Sequence, residues 1–212
     1  MGSTEQNLEI EIKLKLDSFA DYLKLIGFLG NPDKEVNQLN CFFDSEDHRL
    51  MKDGWALRVR AENDRGLITL KGAADSDHDL TVVREEFETI IERSAALAII
   101  NLQNDILAAP AEPIEFVKHK YPDIALAKLA QFTNIRQMKN FKIGDYTHVL
   151  ELDRTEYADG SVDYELEMEL DNPDQSDIVI PSLQKLFASL DIPFQRQDQT
   201  KFIRALEKTR QF

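Results

Sequence analysis

The chain has 212 residues and a formal net charge of −14, which argues against a general binder of nucleic acid or of anionic membranes, because such binding needs a basic surface. An anionic substrate would therefore require an enclosed or metal-assisted site with its own local cations. The sequence has no apolar run of about 20 residues, as a membrane span needs, no apolar core of a signal peptide at its start and a lone cysteine, Cys41, so we expect one cytoplasmic domain over residues 1–212.

Strict alternation of apolar and polar residues predicts about eight β-strands. In the first, Leu8–Leu16, isoleucines and leucines share one face, while Glu9, Glu11, Lys13 and Lys15 share the other. The remaining predicted strands are Cys41–Asp44, Trp55–Glu62, Leu67–Lys71, Leu80–Ile91, Asn134–Lys142, Thr147–Tyr157 and Ser161–Leu170. Turn signals lie at Asp53-Gly54, Asp64-Arg65-Gly66, Gly144-Asp145 and Asp159-Gly160. Such short turns between strands predict a mostly antiparallel sheet.

Helical patterns fill the gaps between the predicted strands. The predicted helices are Ser18–Leu29, Glu92–Ala108, Ile124–Phe132, Pro181–Leu190 and Gln199–Lys208. Ser18 is a suitable N-cap, and Pro181 suits the first turn of a helix. The stretch Ala108–Pro122 contains three prolines and is predicted to be a long loop. Together these elements predict the α+β fold class.

Charged residues form the polar faces of several predicted strands. On a single strand, the ordinary explanation is that such a face meets solvent. Glu165, Glu167 and Glu169, however, repeat one charge at every second position, where mixed signs would be less repulsive. Carboxylates two apart on a strand project in parallel from Cα atoms about 6.6 Å apart. They could converge on a hard divalent ion, and both Mg²⁺ and Mn²⁺ favour carboxylate ligands.

Basic residues accompany the acidic faces, notably Arg58 and Arg60 on one strand, with Lys71, Arg84 and Arg136 on others. Guanidinium groups match phosphate oxygens, so acids for metals together with arginines for phosphates favour a polyphosphate site. If about eight strands close into a barrel with their apolar faces outward under the helices, the charged faces line its interior. The fold predicted is therefore an eight-stranded antiparallel barrel, or tunnel, with a charged interior and covering helices.

These motifs resemble those of the CYTH superfamily, the triphosphate tunnel metalloenzymes. Glu9-Ile10-Glu11-Ile12-Lys13 matches the E-x-E-x-K opening of the family. The segments that follow it in the same order are Phe43-Asp44, Leu57-Arg58-Val59-Arg60, Thr69-Leu70-Lys71, Arg84 to Glu88, Arg136, Glu151-Leu152-Asp153, Tyr164 to Glu167 and Thr200-Lys201-Phe202. They span nearly the whole chain, and the match is specific in combination.

The resemblance implies a metal-dependent enzyme that binds a small-molecule triphosphate with Mg²⁺ or Mn²⁺. It implies a set of metal ligands, Glu9, Glu11, Asp153, Glu165 and Glu167, with Glu88 and Glu169 as nearby acidic candidates. It also implies a set of phosphate-binding cations, Lys13, Arg58, Arg60, Lys71, Arg84, Arg136 and Lys201. The catalytic residues expected are Glu9, Glu11, Lys13 and Glu167, with Lys13 or a nearby carboxylate as the candidate to take a proton from the attacking water.

Several activities remain open within this resemblance. Hydrolysis of inorganic tripolyphosphate to pyrophosphate and phosphate needs the fewest added features. Thiamine triphosphatases of the family carry a tryptophan two residues before the first paired arginine, whereas Trp55 lies three before Arg58 and should face the other way, toward a covering helix. Class IV adenylate cyclase activity would need a nucleoside pocket. A non-catalytic polyphosphate- or nucleotide-binding module and a β-rich interaction protein are the alternatives outside enzymology.

Overall fold

The computed structural model of the chain describes residues 7–73, 75–78 and 81–209. Within these ranges the strands are β1 (Asn7–Leu16), β2 (Lys34–Asp44), β3 (Ala56–Ala61), β4 (Arg65–Lys71), β5 (Asp75–His78), β6 (Thr81–Glu92), β7 (Ala127–Ile143), β8 (Tyr146–Tyr157) and β9 (Val162–Glu169). The helices are α1 (Phe19–Leu29), α2 (Arg49–Lys52), α3 (Arg93–Ile100), α4 (Glu112–Lys120), α5 (Ser176–Ser189) and α6 (Lys201–Thr209).

Eight of the strands form a closed antiparallel barrel. Their order is β1-β9-β8-β7-β2-β3-β4-β6, and β6 pairs with β1 to complete the circle. The short strand β5 adds to the side of β6. The predicted α+β class and the predicted eight-stranded barrel are confirmed. None of the helices in the described ranges is both long and apolar enough to cross a membrane.

Apolar residues pack on the outside of the barrel, beneath the helices. On one side Ile12 and Leu14 of β1 form a cluster with Leu25 of α1 and with Leu183 and Phe187 of α5. On the opposite side, Val59 of β3 and Ile68 of β4 pack with Ile100 of α3 and with Ile114 and Val117 of α4. Because strand side chains alternate between faces, burying the apolar face under helices turns the charged face inward.

The helix α6 lies across one end of the barrel. Its Phe202 stacks on Phe42 near the end of β2, with ring centroids 4.4 Å apart. Phe132 and Tyr157 complete this apolar cluster. In the antiparallel barrel, the end of β2, the start of β7 and the end of β8 lie at the same end, so α6 packs against that end and carries Lys201 into the interior.

Three segments differ from the sequence prediction. Most of Ile124–Phe132, predicted to be helical, is instead the first part of β7, which begins at Ala127, because pairing with β2, joined by β8 from Phe132, outweighs its local helical spacing. The predicted loop Ala108–Pro122 contains α4. Pro113 lies in its first turn, where a missing N–H costs nothing. The helix predicted over Glu92–Ala108 already ends at Ile100.

Two further boundaries were predicted wrongly. Strand β2 begins at Lys34 rather than at Cys41, because polar residues occur on both of its faces and hide the alternation. Helix α5 begins at Ser176, so Pro181 lies inside it rather than in its first turn. By contrast, Ser18 caps α1 as predicted and accepts a hydrogen bond from the Asp21 N–H at 3.1 Å.

Candidate active site

The barrel encloses a cavity of about 680 Å³, within the range of roughly 300 to 1,000 Å³ typical of small-molecule sites. The structure brings most of the predicted site residues to its wall: Glu9, Glu11 and Lys13 from β1, Arg58 and Arg60 from β3, Lys71 from β4, Arg84 and Glu88 from β6, Arg136 from β7, Glu167 and Glu169 from β9, and Lys201 from α6. Side chains as far apart in the sequence as Glu9 and Lys201 therefore line one cavity.

Three carboxylates lie together on the β8–β9 wall. Asp153, Glu165 and Glu167 each offer an oxygen, and these oxygens lie within 4.8 Å of one another. Asp153 is 0% exposed. Lys201 contacts both Asp153 and Glu165, and neither acid is among the described residues that line the cavity. The cluster combines three of the predicted metal ligands.

The cations of this cluster neutralise the three acids. Lys201 Nζ lies 2.7 Å from Asp153 Oδ2 and 2.9 Å from Glu167 Oε1, and it also contacts Glu165. Arg136 donates to both oxygens of Asp153, at 2.8 and 2.6 Å, and contacts Glu167. Burial holds the pKa of Lys201 well below its usual value despite the attraction of Asp153, since Lys13 and Arg136 are also close.

A second ionic cluster surrounds the start of β1. Glu9 accepts hydrogen bonds from Lys71 Nζ at 2.6 Å and from Arg84 Nε at 2.7 Å, and Arg84 also contacts Glu11. Burial opposes the ionisation of Glu9, but the attraction of Lys71 and Arg84 outweighs it, so the pKa of Glu9 lies below its ordinary value. Lys13 Nζ, at 3.1 Å from Glu11 and 3.0 Å from Glu167, joins this cluster to the three carboxylates.

Further acids border the two clusters. Glu88 accepts a hydrogen bond from the Thr69 hydroxyl at 3.0 Å, while Glu86 pairs with Lys71 at 3.1 Å. Glu151, two residues before Asp153 on the same face of β8, contacts Arg136. Burial, together with the nearby Glu167, raises the pKa of Glu151 from 4.5 to about 7 although Arg136 acts against the shift.

Two cations, Arg58 and Arg60, face a part of the wall with few acids. Arg58 donates to Thr69 Oγ1 at 3.2 Å, its buried Nε has no hydrogen-bond partner among the described residues, and no carboxylate of the described chain lies within 4.0 Å of it. Arg60 donates to Asn40 Oδ1 at 2.8 Å and reaches Glu62 only at 3.5 Å. Burial, with Arg58 and Arg136 nearby, lowers the pKa of Arg60 to about 9. This part of the cavity is suited to an anion.

Several residues of the site were not predicted from the sequence. Glu151 shares the face of Asp153 and belongs to the segment Glu151-Leu152-Asp153 that carries the resemblance, but no site role was predicted for it. Arg204 lies one helical turn after Lys201 and donates to Glu165 at 2.5 Å, a position that helical spacing could have suggested. The buried polar residues Gln38 and Asn134 gave no sequence signal. Trp55 packs against Phe116 of α4, as predicted, while part of it also reaches the cavity wall.

A family model described as the CYTH domain matches residues 7–200. The chain belongs to the CYTH family. No curated protein matches its sequence significantly. Among solved structures, it is similar to HpAC1 from Hippeastrum, with a TM-score of 0.82, 24% identity, and coverage of 95% of this chain and 96% of that one. HpAC1 is named as a candidate adenylyl cyclase and is described as having a dominant triphosphatase activity.

Other CYTH-like structures share the fold at lower identity. A Bacillus halodurans protein named as a candidate adenylate cyclase has a TM-score of 0.68 and 21% identity over 93% of this chain and 97% of its own. The protein PH1819 from Pyrococcus horikoshii has a TM-score of 0.60 and 15% identity over 93% and 99% of the two chains. These similarities show that the fold extends over nearly the whole of each protein.

Proposed function

We propose that this CYTH protein hydrolyses the terminal phosphoanhydride bond of a triphosphate with the help of a divalent metal ion. The observation that carries the proposal is a division of the barrel interior. Among the described residues Arg58 has no carboxylate within 4.0 Å and Arg60 reaches only Glu62, at 3.5 Å, whereas a cluster of three carboxylates lies on β8 and β9. One part suits phosphate oxygens and the other suits a metal ion. The triphosphatase activity described for HpAC1 supports the same reading.

The cations are suited to orient a polyphosphate. Arg58 and Arg60 project from alternate positions of β3, and their guanidinium forks can each donate two hydrogen bonds to phosphate oxygens. Lys71, Arg84 and Arg136 already hold carboxylates, so they can exchange part of these contacts for phosphate oxygens. Holding the polyphosphate at several of its phosphate groups restricts its motion and favours the geometry in which it reacts.

The donor set fits the metal that the CYTH family implies. Asp153, Glu165 and Glu167 supply carboxylate oxygens, which Mg²⁺ and Mn²⁺ prefer. Glu11 lies near this set, since Lys13 Nζ contacts both Glu11 and Glu167. A bound divalent ion neutralises phosphate charge and lowers the pKa of a water molecule. Lys201 and Arg136 balance the acids in the metal-free protein and must give up part of these contacts.

Proton removal from the attacking water needs a base with a pKa near the working pH. Glu151 has a pKa of about 7 and lines the cavity beside Glu167, so one of its carboxylate oxygens is the candidate proton acceptor. Lys13 is held between Glu11 and Glu167, and these neighbours raise its pKa although burial acts against them. A charged Lys13 orients phosphate oxygens rather than accepting a proton.

Inorganic tripolyphosphate is the substrate we favour, and Mg²⁺ or Mn²⁺ the metal. One observation favours an organic triphosphate as a second candidate: the cavity is lined by Phe42, Phe132 and Phe202, which cluster at α6, and also by Trp55. An aromatic wall of this kind could accept the thiamine or nucleoside end of such a substrate.

Phosphate release from tripolyphosphate, thiamine triphosphate and ATP, with cyclic AMP measured in parallel, tests the proposal. We expect tripolyphosphate hydrolysis with Mg²⁺ or Mn²⁺ and none in EDTA. Both Glu11→Gln and Glu167→Gln should lower turnover by about 100-fold or more, since each removes a charge without changing shape. Glu156→Gln, on the exposed outer face of β8, is the matched control and should keep full activity.

The other outcomes point to specific alternatives. Cyclic AMP formation without phosphate release from any substrate would make the protein a cyclase. Calorimetric binding of tripolyphosphate without turnover would make it a binding module. Absence of both binding and turnover would leave the β-rich interaction protein as the explanation, and full activity of both Glu11→Gln and Glu167→Gln would contradict the ligand assignment.

A further inference from the structure

A chain of buried amide and hydroxyl groups lies behind Asp153. Asn134 of β7 uses its Nδ2 group to donate to Asp153 Oδ1 at 2.9 Å and to Gln38 Oε1 at 3.0 Å. The hydroxyl of Thr155, on β8, donates to Asn134 Oδ1 at 2.9 Å. Asn134 is 2% exposed and Thr155 is 1% exposed. In such a site, water competes little with these bonds, and each is stronger than at the surface.

The direction of every bond in this chain is fixed by its neighbours. Gln38 donates through Nε2 to Glu62 Oε1 at 3.2 Å, which leaves its Oε1 to accept from Asn134. Asp153 and Gln38 Oε1 both accept, so the Asn134 amide turns its Nδ2 toward them, and its Oδ1 accepts from the Thr155 hydroxyl. The reversed amide would set Oδ1 against a carboxylate, leaving two acceptors facing each other without a proton between them.

The two oxygens of Asp153 consequently have different surroundings. Oδ1 accepts from Asn134 Nδ2 and from Arg136 Nε at 2.8 Å. Oδ2 accepts from Arg136 Nη2 at 2.6 Å and also faces Lys201, whose Nζ lies 2.7 Å from it and 2.9 Å from Glu167 Oε1. Asp153 Oδ2 and Glu167 Oε1 therefore lie close to the same nitrogen, Lys201 Nζ. Two carboxylate oxygens would approach one divalent ion in the same way.

We propose that Asn134, oriented by Thr155, is a positioning residue that turns Asp153 Oδ2 toward the metal. The inference rests on the proposed metal-dependent function. Without the donor from Asn134, Asp153 is held only by the cations Arg136 and Lys201. When a metal ion displaces part of their contacts, no neutral donor then keeps Asp153 Oδ2 directed toward Glu167. Removing a hydrogen bond that orients a ligating carboxylate typically weakens metal affinity 10- to 100-fold.

Thr155→Val tests this role because it deletes the hydroxyl and nearly conserves the volume. We expect its Mn²⁺ affinity, measured by titration calorimetry, to fall about 10- to 100-fold, while its affinity for tripolyphosphate in EDTA stays that of the wild type, since Arg58 and Arg60 are untouched. Thr155→Ser retains a hydroxyl and should restore Mn²⁺ binding. Thr133→Val makes the same chemical change on the exposed face of β7 and should have no effect.

Asn134→Leu provides a second variant, which removes the donor directly and should lose Mn²⁺ affinity to the same degree. Circular dichroism identifies variants that remain folded. Wild-type Mn²⁺ affinity in a folded Thr155→Val or Asn134→Leu protein, or failure of Thr155→Ser to restore binding, would overturn the positioning role alone. Absence of Mn²⁺ binding by the wild-type protein would instead contradict the metal dependence of the proposed function and this inference with it.

Discussion

Arg58 and Arg60 differ from the other cations of the cavity in the partners they hold. Arg84, Arg136 and Lys201 each contact two or more carboxylates, so a phosphate that binds them must displace an existing partner. Arg58 holds only a neutral hydroxyl. An incoming phosphate gains a charge-assisted pair there without breaking one, which makes Arg58 the position where capture is most favourable.

Replacing Arg58 should therefore impair substrate capture and transition-state support together. We expect Arg58→Ala to lower kcat/KM for the triphosphate by about 10²- to 10³-fold, the usual effect of losing one preorganised donor. Arg58→Lys should recover only part of this loss, because an ammonium cannot form a bidentate pair. Steady-state phosphate release provides the measurement, with Arg154→Ala on the outside of β8 as control. An unchanged kcat/KM in Arg58→Ala would show that phosphates bind elsewhere in the cavity.

Glu151 leads to a prediction about pH. Folding raises its pKa from 4.5 to about 7, so the folded protein favours the protonated form. The stabilising contribution is complete below the unfolded pKa and is lost as the pH rises through about 7. Glu151→Gln stays neutral at every pH and avoids that loss.

In EDTA, we therefore expect Glu151→Gln to be more stable than the wild type at pH 8, by on the order of 1 to 3 kcal/mol, and similar to it at pH 5. Urea unfolding at the two pH values measures the difference. A variant less stable than the wild type at pH 8 would mean that the ion pair with Arg136 outweighs burial. The same substitution should reduce turnover, since it removes the proposed proton acceptor.

At the scale of elements, the closest approach of a helix to the barrel occurs at Gly66. A Cβ atom at this position of β4 would lie 2.5 Å from Ala96 Cβ of α3 and 3.0 Å from the Glu92 carbonyl oxygen. Glycine is therefore required for α3 to pack against β4. The packing in turn keeps the charged face of β4, with Lys71, turned into the cavity.

Gly66→Ala should force α3 away from the barrel and lower the free energy of unfolding by about 1 to 3 kcal/mol. Gly27→Ala is the matched control, because the added methyl group meets nothing within 4 Å in the middle of α1. That control should raise stability by about 0.5 to 1 kcal/mol through helix propensity. Urea unfolding of both variants measures these changes in the free energy of unfolding. Equal stability of Gly66→Ala and the wild type would mean that α3 can be displaced without cost.

The elements that could be predicted from sequence are those whose two faces differ. Strand β1 places Ile10 and Ile12 under helices and Glu9 and Glu11 in the cavity. Its apolar and polar residues therefore alternate, and this alternation predicts the strand. Most of β2 was missed because its interior residues Val36, Gln38, Asn40 and Phe42 are mixed in polarity, as are the residues between them. The start of β7 follows a helical spacing and becomes a strand only because β2 pairs with it.

Only part of the candidate site could be predicted from the sequence. Alternation indicates which side chains of one strand point inward, but the partner of each depends on strand register and barrel closure. Glu9 meets Arg84 across the closing pair of strands, whereas Lys201 reaches Asp153 from a helix. Asn134 and Thr155 carry no charge, and their role depends on the exact register of β7 and β8. Such partnerships are properties of the assembled barrel.

At the scale of the whole molecule, charge is distributed unevenly between the interior and the exterior. Among the described residues that line the cavity, eight are acidic and nine are basic, although the chain as a whole carries a charge of −14. The excess negative charge therefore lies largely outside the cavity. A nearly balanced interior limits the cost of burying so many ions, which is high for unpaired charges.

This balance predicts that the substrate and the metal bind cooperatively. A triphosphate alone adds negative charge to a cavity that is already balanced, and a divalent ion alone adds positive charge, whereas in the ternary complex each ligand offsets part of the charge that the other brings. We expect a coupling free energy of about 1 to 3 kcal/mol, so that each ligand tightens the binding of the other by the same factor. The combined shift in Tm should accordingly exceed the sum of the separate shifts.

Calorimetry with Mg²⁺ and a non-hydrolysable imido analogue of tripolyphosphate, corrected for complex formation in solution, measures this coupling. Arg58→Ala combined with Arg60→Ala should abolish it while leaving binding of Mg²⁺ alone intact, because those arginines hold the phosphates and not the metal. Purely additive binding in the wild-type protein would contradict the prediction. It would show that the cations and acids of the cavity neutralise each ligand independently, so that the two parts of the site do not act as one electrostatic unit.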